Sequence, residues 1–378
     1  MKKKLKTLKE FLKLIKLALK RKSIIIVAPY FSKERLKDGY YKRVKAVDEL
    51  LNGYQKIYVS YELFPEKLTY RYPTEDTIVV DYSIHSKKHK IMIAVLMFFC
   101  GKIYCHSVWQ AKKMFYRIPF LKVYIDVHGV VPEEETLYEK YEDAQMYGDI
   151  EEIVVEKSKC LICVTNKIAE HLKNKYDKKF KAKTIILPIF DKASNGVEIK
   201  KLSNKPLKDG KPIITYAGGI MKWQKIELMQ ESIIQQINLA IYKICVPNPK
   251  DFWATWEGSK ETKNLTVESK TYQSLCEEVY SISHYGFVLR DDIIVNNVAC
   301  PTKIAEYLQY KIIPIVNTPN IGDFKDMGMK YLTLEDFVQG KLYSEKERSE
   351  IIENNKEVFE KYIEVHNNGI KAFQKMFK

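Results

Sequence analysis

Arg290, Lys303 and Glu306 sit in one stretch of chain. Tyr285-Gly286-Phe287-Val288-Leu289-Arg290-Asp291-Asp292 is followed by Ala299-Cys300-Pro301-Thr302-Lys303-Ile304-Ala305-Glu306-Tyr307-Leu308. Pro301 suits the first position of a helix, where its missing N–H would have no partner anyway. Thr302 onward then reads as a helix whose first-turn amides face whatever precedes it. A helix N-terminus beside Lys303 and near Arg290 is an anion site suited to a diphosphate. Lys303 and Glu306, three residues apart, share a helix face. One cation for phosphate and one carboxylate for a ribose diol is the set needed to grip a nucleotide. An ordinary solvated helix with a Lys–Glu pair has the same pattern.

Two further stretches carry chemistry. Ile213-Ile214-Thr215-Tyr216-Ala217-Gly218-Gly219 reads as a buried strand ending in paired glycines, with Lys222 and Lys225 just beyond. Gly218 and Gly219 would let backbone amides approach a diphosphate, and either lysine could neutralise it. Val123-Tyr124-Ile125-Asp126-Val127-His128-Gly129 is a strand with a polar tip, and tips at the carboxyl ends of parallel strands are where open α/β sheets bind ligands. Asp126 and Glu133, with Glu134 and Glu135, are candidates for contacts to an acceptor, although a solvated helix start explains the glutamates equally well. His128 is either a functional group at this tip or a histidine that ties down its loop. No Asp-x-Asp metal motif occurs, and no metal is expected. Cys160 and Cys163 lie in an apolar strand without turn context or further ligands, so they read as core.

These residues need elements to hold them. The chain has 378 residues, enough for two domains with separate cores. From Ser23, short apolar strands alternate with helical segments, which predicts parallel sheets. Strands are expected at 23–29, 56–59, 77–80, 102–105, 123–129, 161–164 and 184–188, with a helix at 40–51 and a long acidic helix from Pro132 to about Lys157. Residues 191–211 are polar and read as a linker. Strands at 212–217, 242–246, 265–268 and 312–316 follow, with a helical tail from Ser344. The expected domains are 23–195 and 212–355, with a last helix, 356–378, that crosses back.

The formal charge of +15 calls for an anionic partner. Residues 1–22 hold ten basic residues and one acid, so most of the excess is local. Leu5, Leu8, Leu12, Ile15 and Leu19 share a helical face opposite lysines. This pattern fits a helix lying on an anionic membrane surface, and the alternative is a helix docked on its own domain. Seven cysteines without framework spacing fit a reducing cytoplasm. No nucleic-acid module motif is present, and no nucleic-acid partner is expected.

The Gly-Phe-Val-Leu-Arg-Asp and Pro-Thr-Lys-x-x-Glu-Tyr-Leu combination, with Tyr216 to Gly219 and Asp126 to Gly129, resembles retaining glycosyltransferases of family 4, of the cell-surface polysaccharide type. The resemblance runs at motif level from about Ile24 to Phe324. It implies an α/β GT-B fold, two Rossmann-like domains facing a central cleft, here preceded by the amphipathic helix. It implies a UDP- or GDP-linked nucleotide sugar as donor and transfer without a metal. Arg290, Lys303 and Lys222 or Lys225 would stabilise the leaving diphosphate. Thr302 would lie at the phosphate-binding helix end, Glu306 would hold the ribose, and Gly39 would let a loop close over the phosphates. His128 would lie near the donor sugar. The family often has a second glutamate where this chain has Val298, a departure that bears on contacts to the donor sugar. With the basic helix, the resemblance implies a lipid-linked or cell-envelope glycan acceptor and an enzyme peripheral on the inner face of the cell membrane. The Lys-, Ile- and Tyr-rich composition suits an AT-rich bacterium. A GT-B sugar-nucleotide epimerase and a non-catalytic basic nucleic-acid-binding protein are the alternatives.

Overall fold

The computed structural model describes residues 2–32, 34–62, 68–83, 85–112, 122–189, 205–259 and 262–377. The chain divides into two compact units, Met1–Ile189 with Asn367–Lys378, and Phe190–His366.

In the first unit, β1 (Ser23–Val27), β2 (Gln55–Glu62), β3 (Thr69–Thr74), β4 (Thr77–Ser83), β5 (Ile103–His106), β6 (Val123–Val127), β7 (Cys160–Cys163) and β8 (Lys183–Ile186) form one sheet. The spatial order is β3-β4-β2-β1-β5-β6-β7-β8. Every neighbouring pair is parallel except β3–β4. All five residues of β1 are buried, as the unbroken Ile24-Ile25-Ile26 run requires of a strand covered on both faces. Helix α2 (Gly39–Leu50) packs Val44 and Val47 on one face, together with Phe373 and Phe377 of the C-terminal helix Glu345–Phe377. That helix approaches β8 so closely that a Cβ on Gly369 would stand 2.3 Å from the Ile186 carbonyl oxygen.

Three sequence expectations change here. The antiparallel β3 was not anticipated. Its Tyr70-Arg71-Tyr72-Pro73 run is largely exposed and carries no apolar alternation, and an edge position tolerates its proline. Arg71 holds the edge through a two-pronged pair with Asp81, at 2.8 and 2.9 Å. The long acidic helix is two helices, Val131–Leu137 and Tyr141–Lys157. Glu139 breaks it at φ 61°, where the Lys140 N–H donates to the Glu135 carbonyl at 2.9 Å.

The third change concerns α1 (Lys2–Ala18), which is docked on its own unit beside α3 (Lys87–Phe99) and β1. It buries Phe11, Leu14 and Ala18, whereas Leu12 and Leu19 of the expected apolar stripe are 49% and 59% exposed. Ile15 is half-buried, and the side chains of Leu5 and Leu8 lie outside the described residues. The helix therefore has two apolar faces, one used by the fold and one left outside.

In the second unit, β9 (Ile213–Ala217), β10 (Ile241–Cys245), β11 (Leu265–Glu268), β12 (Tyr285–Phe287), β13 (Ile313–Val316) and β14 (Leu332–Thr333) form an all-parallel sheet ordered β11-β10-β9-β12-β13-β14. Strand order reverses at β9/β12, so the loops after these two strands flank the crevice where such sheets take ligands. The expected linker, up to residue 204, lies outside the described residues. Lys205 is fixed to the second unit, where it donates to the carbonyls of Tyr280 (2.9 Å), Ser283 (2.6 Å) and Tyr310. Among the described residues no helix is long and apolar enough to cross a membrane.

Candidate functional site

The second unit gathers cations at its switch point. The helix Thr302–Gln309 follows β12, and Pro301 is its N-cap, one position earlier than the sequence suggested. Gly286 in β12 explains how the helix is seated: a Cβ there would stand 2.3 Å from the Tyr307 ring, so only glycine lets that ring lie flat on the strand. One turn earlier on the same face, Lys303 reaches back to the end of β9. Its Nζ lies 3.8 Å from the centroid of the Tyr216 ring and donates to Gln224 Oε1 at 3.2 Å. Gly218 leaves room for it. Its φ is +151°, and a Cβ would come within 2.9 Å of that ammonium.

Lys303 and Arg290 are both buried, and among the described residues neither forms an ion pair. Arg290 donates to the Trp223 carbonyl at 3.0 Å, and its backbone N–H is held by Asn317 at 2.8 Å. Burial and the nearby Arg290 charge push the Lys303 ammonium well below its ordinary pKa, with Glu306 opposing. Glu306 accepts a hydrogen bond from the Tyr280 hydroxyl at 2.9 Å. Tyr280 is set by a π-helical turn, Cys276–Tyr280, an irregularity common at functional sites. Thr302 is exposed at the helix start, where the first-turn amides have no intrahelical acceptor. Gly219 is open, since a Cβ there would meet nothing within 4 Å. Lys225 is engaged with Asp291 at 3.0 Å, and the Lys222 side chain lies outside the described residues. Val298 is buried. The sequence reading missed Tyr216, Gln224, Tyr280 and Asn317. Gln224 shows no signal of its own, but its position just after the paired glycines marks it for scrutiny.

The first unit gathers a different set at the ends of β5 and β6. Asp126 is fully buried, and both of its oxygens accept from Arg43 of α2, at 2.9 and 3.0 Å. It anchors the arginine, so both oxygens are committed within the fold. Burial alone would raise its carboxyl, but Arg43 and His106 overcome that and hold it well below the usual carboxylate range. His106 Nδ1 lies 3.3 Å from Asp126 Oδ2. His128 is half-buried, with its ring 5.6 Å from that of Tyr40, whose hydroxyl accepts from Gln110 at 3.1 Å. Burial takes the His128 imidazole down to about 4, Asp126 opposing and Arg43 assisting, so it is neutral at pH 7. Arg43 and His106 went unseen, although His106 ends an apolar strand just as Asp126 and His128 do.

Glu133 is also committed to the fold. His171 Nε2 stands 2.9 Å and Lys175 Nζ 2.8 Å from its Oε1. Gly39 is an exposed first residue of α2, capped by Asp38, and a Cβ on it would meet nothing within 4 Å. Cys160 and Cys163 are free, buried thiols, and burial pushes Cys160 up to about 12. Among the described residues no group of three or more His, Cys, Asp or Glu is placed to hold a metal ion.

Two mostly parallel α/β sheets with these switch points define the class: the chain has the GT-B fold. Solved structures match nearly its whole length. The E. coli trehalose-6-phosphate synthase bound with UDP-2-fluoro glucose matches with TM-score 0.61 at 10% identity, covering 94% of this chain and 98% of that one. Sucrose-phosphate synthase from Thermosynechococcus elongatus matches with TM-score 0.59 at 9% identity, covering 94% and 98%. Anabaena HepE in complex with UDP and glucose matches with TM-score 0.59 at 8% identity, covering 93% and 99%. No protein-family model matches the chain, and no curated protein matches it in sequence.

Proposed function

We propose that the protein is a glycosyltransferase moving a sugar from a UDP- or GDP-linked donor to a lipid-linked or cell-envelope glycan. The observation that carries this is the pair of buried cations, Lys303 and Arg290, without an ion-pair partner among the described residues, at the start of a helix and beside Gly218. Breaking the donor bond sheds a nucleoside diphosphate. Preorganised cations and helix amides aimed at that charge lower the barrier with little reorganisation. In this reading no metal is required, because the two side chains supply the positive charge. The GT-B neighbours seen with UDP and with a UDP-sugar support a nucleotide-sugar donor.

Glu306 takes the ribose in this scheme, oriented by Tyr280. Neutral His128 offers a hydrogen bond to a sugar hydroxyl and brings no charge of its own. Transfer proceeds with retention, as in the retaining family the motifs resemble. The exposed Leu12 and Leu19 beside the α1 lysines support a peripheral position on the inner face of the cell membrane, where a lipid-linked acceptor would be met.

The test is thermal shift against UDP, GDP, CDP and ADP without metal, beside a Glu306→Ala variant. A shift with one nucleotide that weakens in the variant is the expected result. No shift with any nucleotide would overturn the donor reading.

A further inference from the structure

Helix α3 carries an apolar stripe that is exposed among the described residues. Ile91 and Phe98 are each 65% exposed, Phe99 is exposed, and Val95 between them is half-buried. Their spacing of i, i+4, i+7 and i+8 places them on one helical face. The opposite side of α3 is spent on the core, through His89, Ile93, Leu96 and Met97. An exposed stripe of this kind on a folded domain marks a contact surface.

The surroundings of the stripe say what it meets. The sequence of α3, Lys87 to Phe99, contains no acid. Lys87 and Lys88 are exposed at its start, and Lys122 lies at its end, donating to the Phe98 carbonyl at 3.1 Å with its ammonium 5.8 Å from the Phe98 ring. The neighbouring helix is α1, whose outer face shows Leu12 among exposed Lys9, Lys13 and Lys16, with exposed Leu19 and Lys20 in the turn that follows it. The only acid on α1, Glu10, is taken by Lys13 at 3.1 Å and by the Tyr72 hydroxyl at 3.0 Å. A second copy of the chain is a poor occupant, because an isologous contact would set these lysines against themselves. An anionic bilayer is complementary throughout: its phosphates meet the lysines, and its acyl boundary takes the aromatic and aliphatic side chains.

We infer that α3 is a second membrane-docking element, so that the first unit sits on anionic lipid through the joined outer faces of α1 and α3. This rests on the membrane reading of α1 and extends it to a surface formed only in the folded unit. Helix α1 alone would give the bilayer a single line of contact. Two adjacent helices fix the orientation of the unit against the lipid.

The experiment is flotation of the full chain with vesicles of phosphatidylcholine alone and with about 30% phosphatidylglycerol, whose negative surface potential draws lysine clusters. Variants are Ile91→Ser with Phe98→Ser in α3, and Leu12→Ser with Leu19→Ser in α1. Wild type is expected to bind the anionic vesicles, with each double variant roughly tenfold weaker or more at unchanged melting temperature. A Phe98→Trp variant should show added quenching by brominated lipid, a readout that needs no loss of binding. If the α1 variant loses binding while the α3 variant binds as wild type and the introduced indole is unquenched, the α3 inference falls and the α1 reading stands. If wild type binds no anionic vesicle, both fall. If the α3 variant instead turns a dimer into a monomer in light scattering, the occupant is a second copy and the inference is wrong.

Discussion

Replacing Lys303 with methionine tests the second unit's site in two opposite directions. The ammonium is almost out of water, its hydrogen-bond acceptor is a neutral amide at 3.2 Å, and Arg290 repels it. A buried charge without a counter-ion costs several kcal/mol after relaxation, of which the Tyr216 ring face returns about 1–2. Methionine keeps most of the stem length and removes the charge, so Lys303→Met should stabilise the ligand-free protein by about 1–3 kcal/mol. A phosphate about 4 Å from a unit charge gains about 4 kcal/mol at an effective dielectric near 20. The variant should therefore lose roughly 2–4 kcal/mol of nucleoside-diphosphate binding, about 30- to 1000-fold in Kd. The pH dependence has a definite sign. Because the folded pKa is lowered, the unfolded chain binds the extra proton between that value and about 10.4, and wild-type stability rises with pH through that window. The methionine variant lacks that slope. Urea titrations at several pH values measure the first effect, and titration calorimetry with UDP and GDP measures the second. At a pH inside that window, binding that raises the Lys303 pKa should also take up protons, seen as a buffer-dependent enthalpy in wild type. A less stable Lys303→Met protein that binds the diphosphate as wild type does would refute the reasoning.

Other perturbations probe the frame around the sites. Arg43→Ala leaves the Asp126 carboxylate buried with His106 beside it and no guanidinium, and should cost about 3–5 kcal/mol by urea titration, part of it recovered in the Arg43→Ala, Asp126→Ala double variant. Glu134 is taken up to about 6 by burial, with Glu133, Glu135 and Glu151 adding and a hydrogen bond at Val130 opposing. A carboxyl whose folded pKa is raised loses stability as pH climbs from about 4.3 through 6, so Glu134→Gln should gain about 1–2 kcal/mol at pH 7.5 and nothing at pH 4. Gly286→Ala drives a methyl into the Tyr307 ring and should cost about 1–3 kcal/mol in calorimetric unfolding while abolishing any nucleotide-induced thermal shift.

The fold was legible because its strands are runs such as Ile24-Ile25-Ile26 and Ile213-Ile214, buried on both faces, which few alternatives to a parallel sheet accommodate. The edge strand β3 was not, because an exposed edge imposes no pattern on its residues. The break at Glu139 was not either, since a left-handed residue that is neither glycine nor asparagine leaves no trace in composition. At the sites, Lys303 and Arg290 were visible as cations near a helix start. Arg43 was hidden because it comes from α2, 83 residues from its partner Asp126. Leu12 and Leu19 were picked out by helical period, but period alone does not say which of two apolar faces a fold will use. Phe11, Leu14 and Ala18 form the other face of α1, and it is the one that packs.

The distribution of buried charge separates holding the fold from holding a ligand. In the first unit several deep charges are matched. Arg43 meets Asp126 at 2.9 Å, Lys175 meets Glu133 and Glu151 at 2.8 Å each, and Lys56 meets Asp48 at 2.7 Å. The same chain thus supplies a carboxylate to the buried cations Arg43 and Lys56. At the β9/β12 switch point of the second unit none is supplied among the described residues. Lys303 and Arg290 have an aromatic face, a side-chain amide and a backbone carbonyl in place of carboxylates. A carboxylate there would relieve the cost in the free protein and would also occupy the position of an incoming phosphate. Leaving the cations unmatched lowers the stability of the free protein and reserves their charge for a ligand that carries its own. On the proposed donor reading the two groups serve binding, and their removal should move stability and affinity in opposite directions.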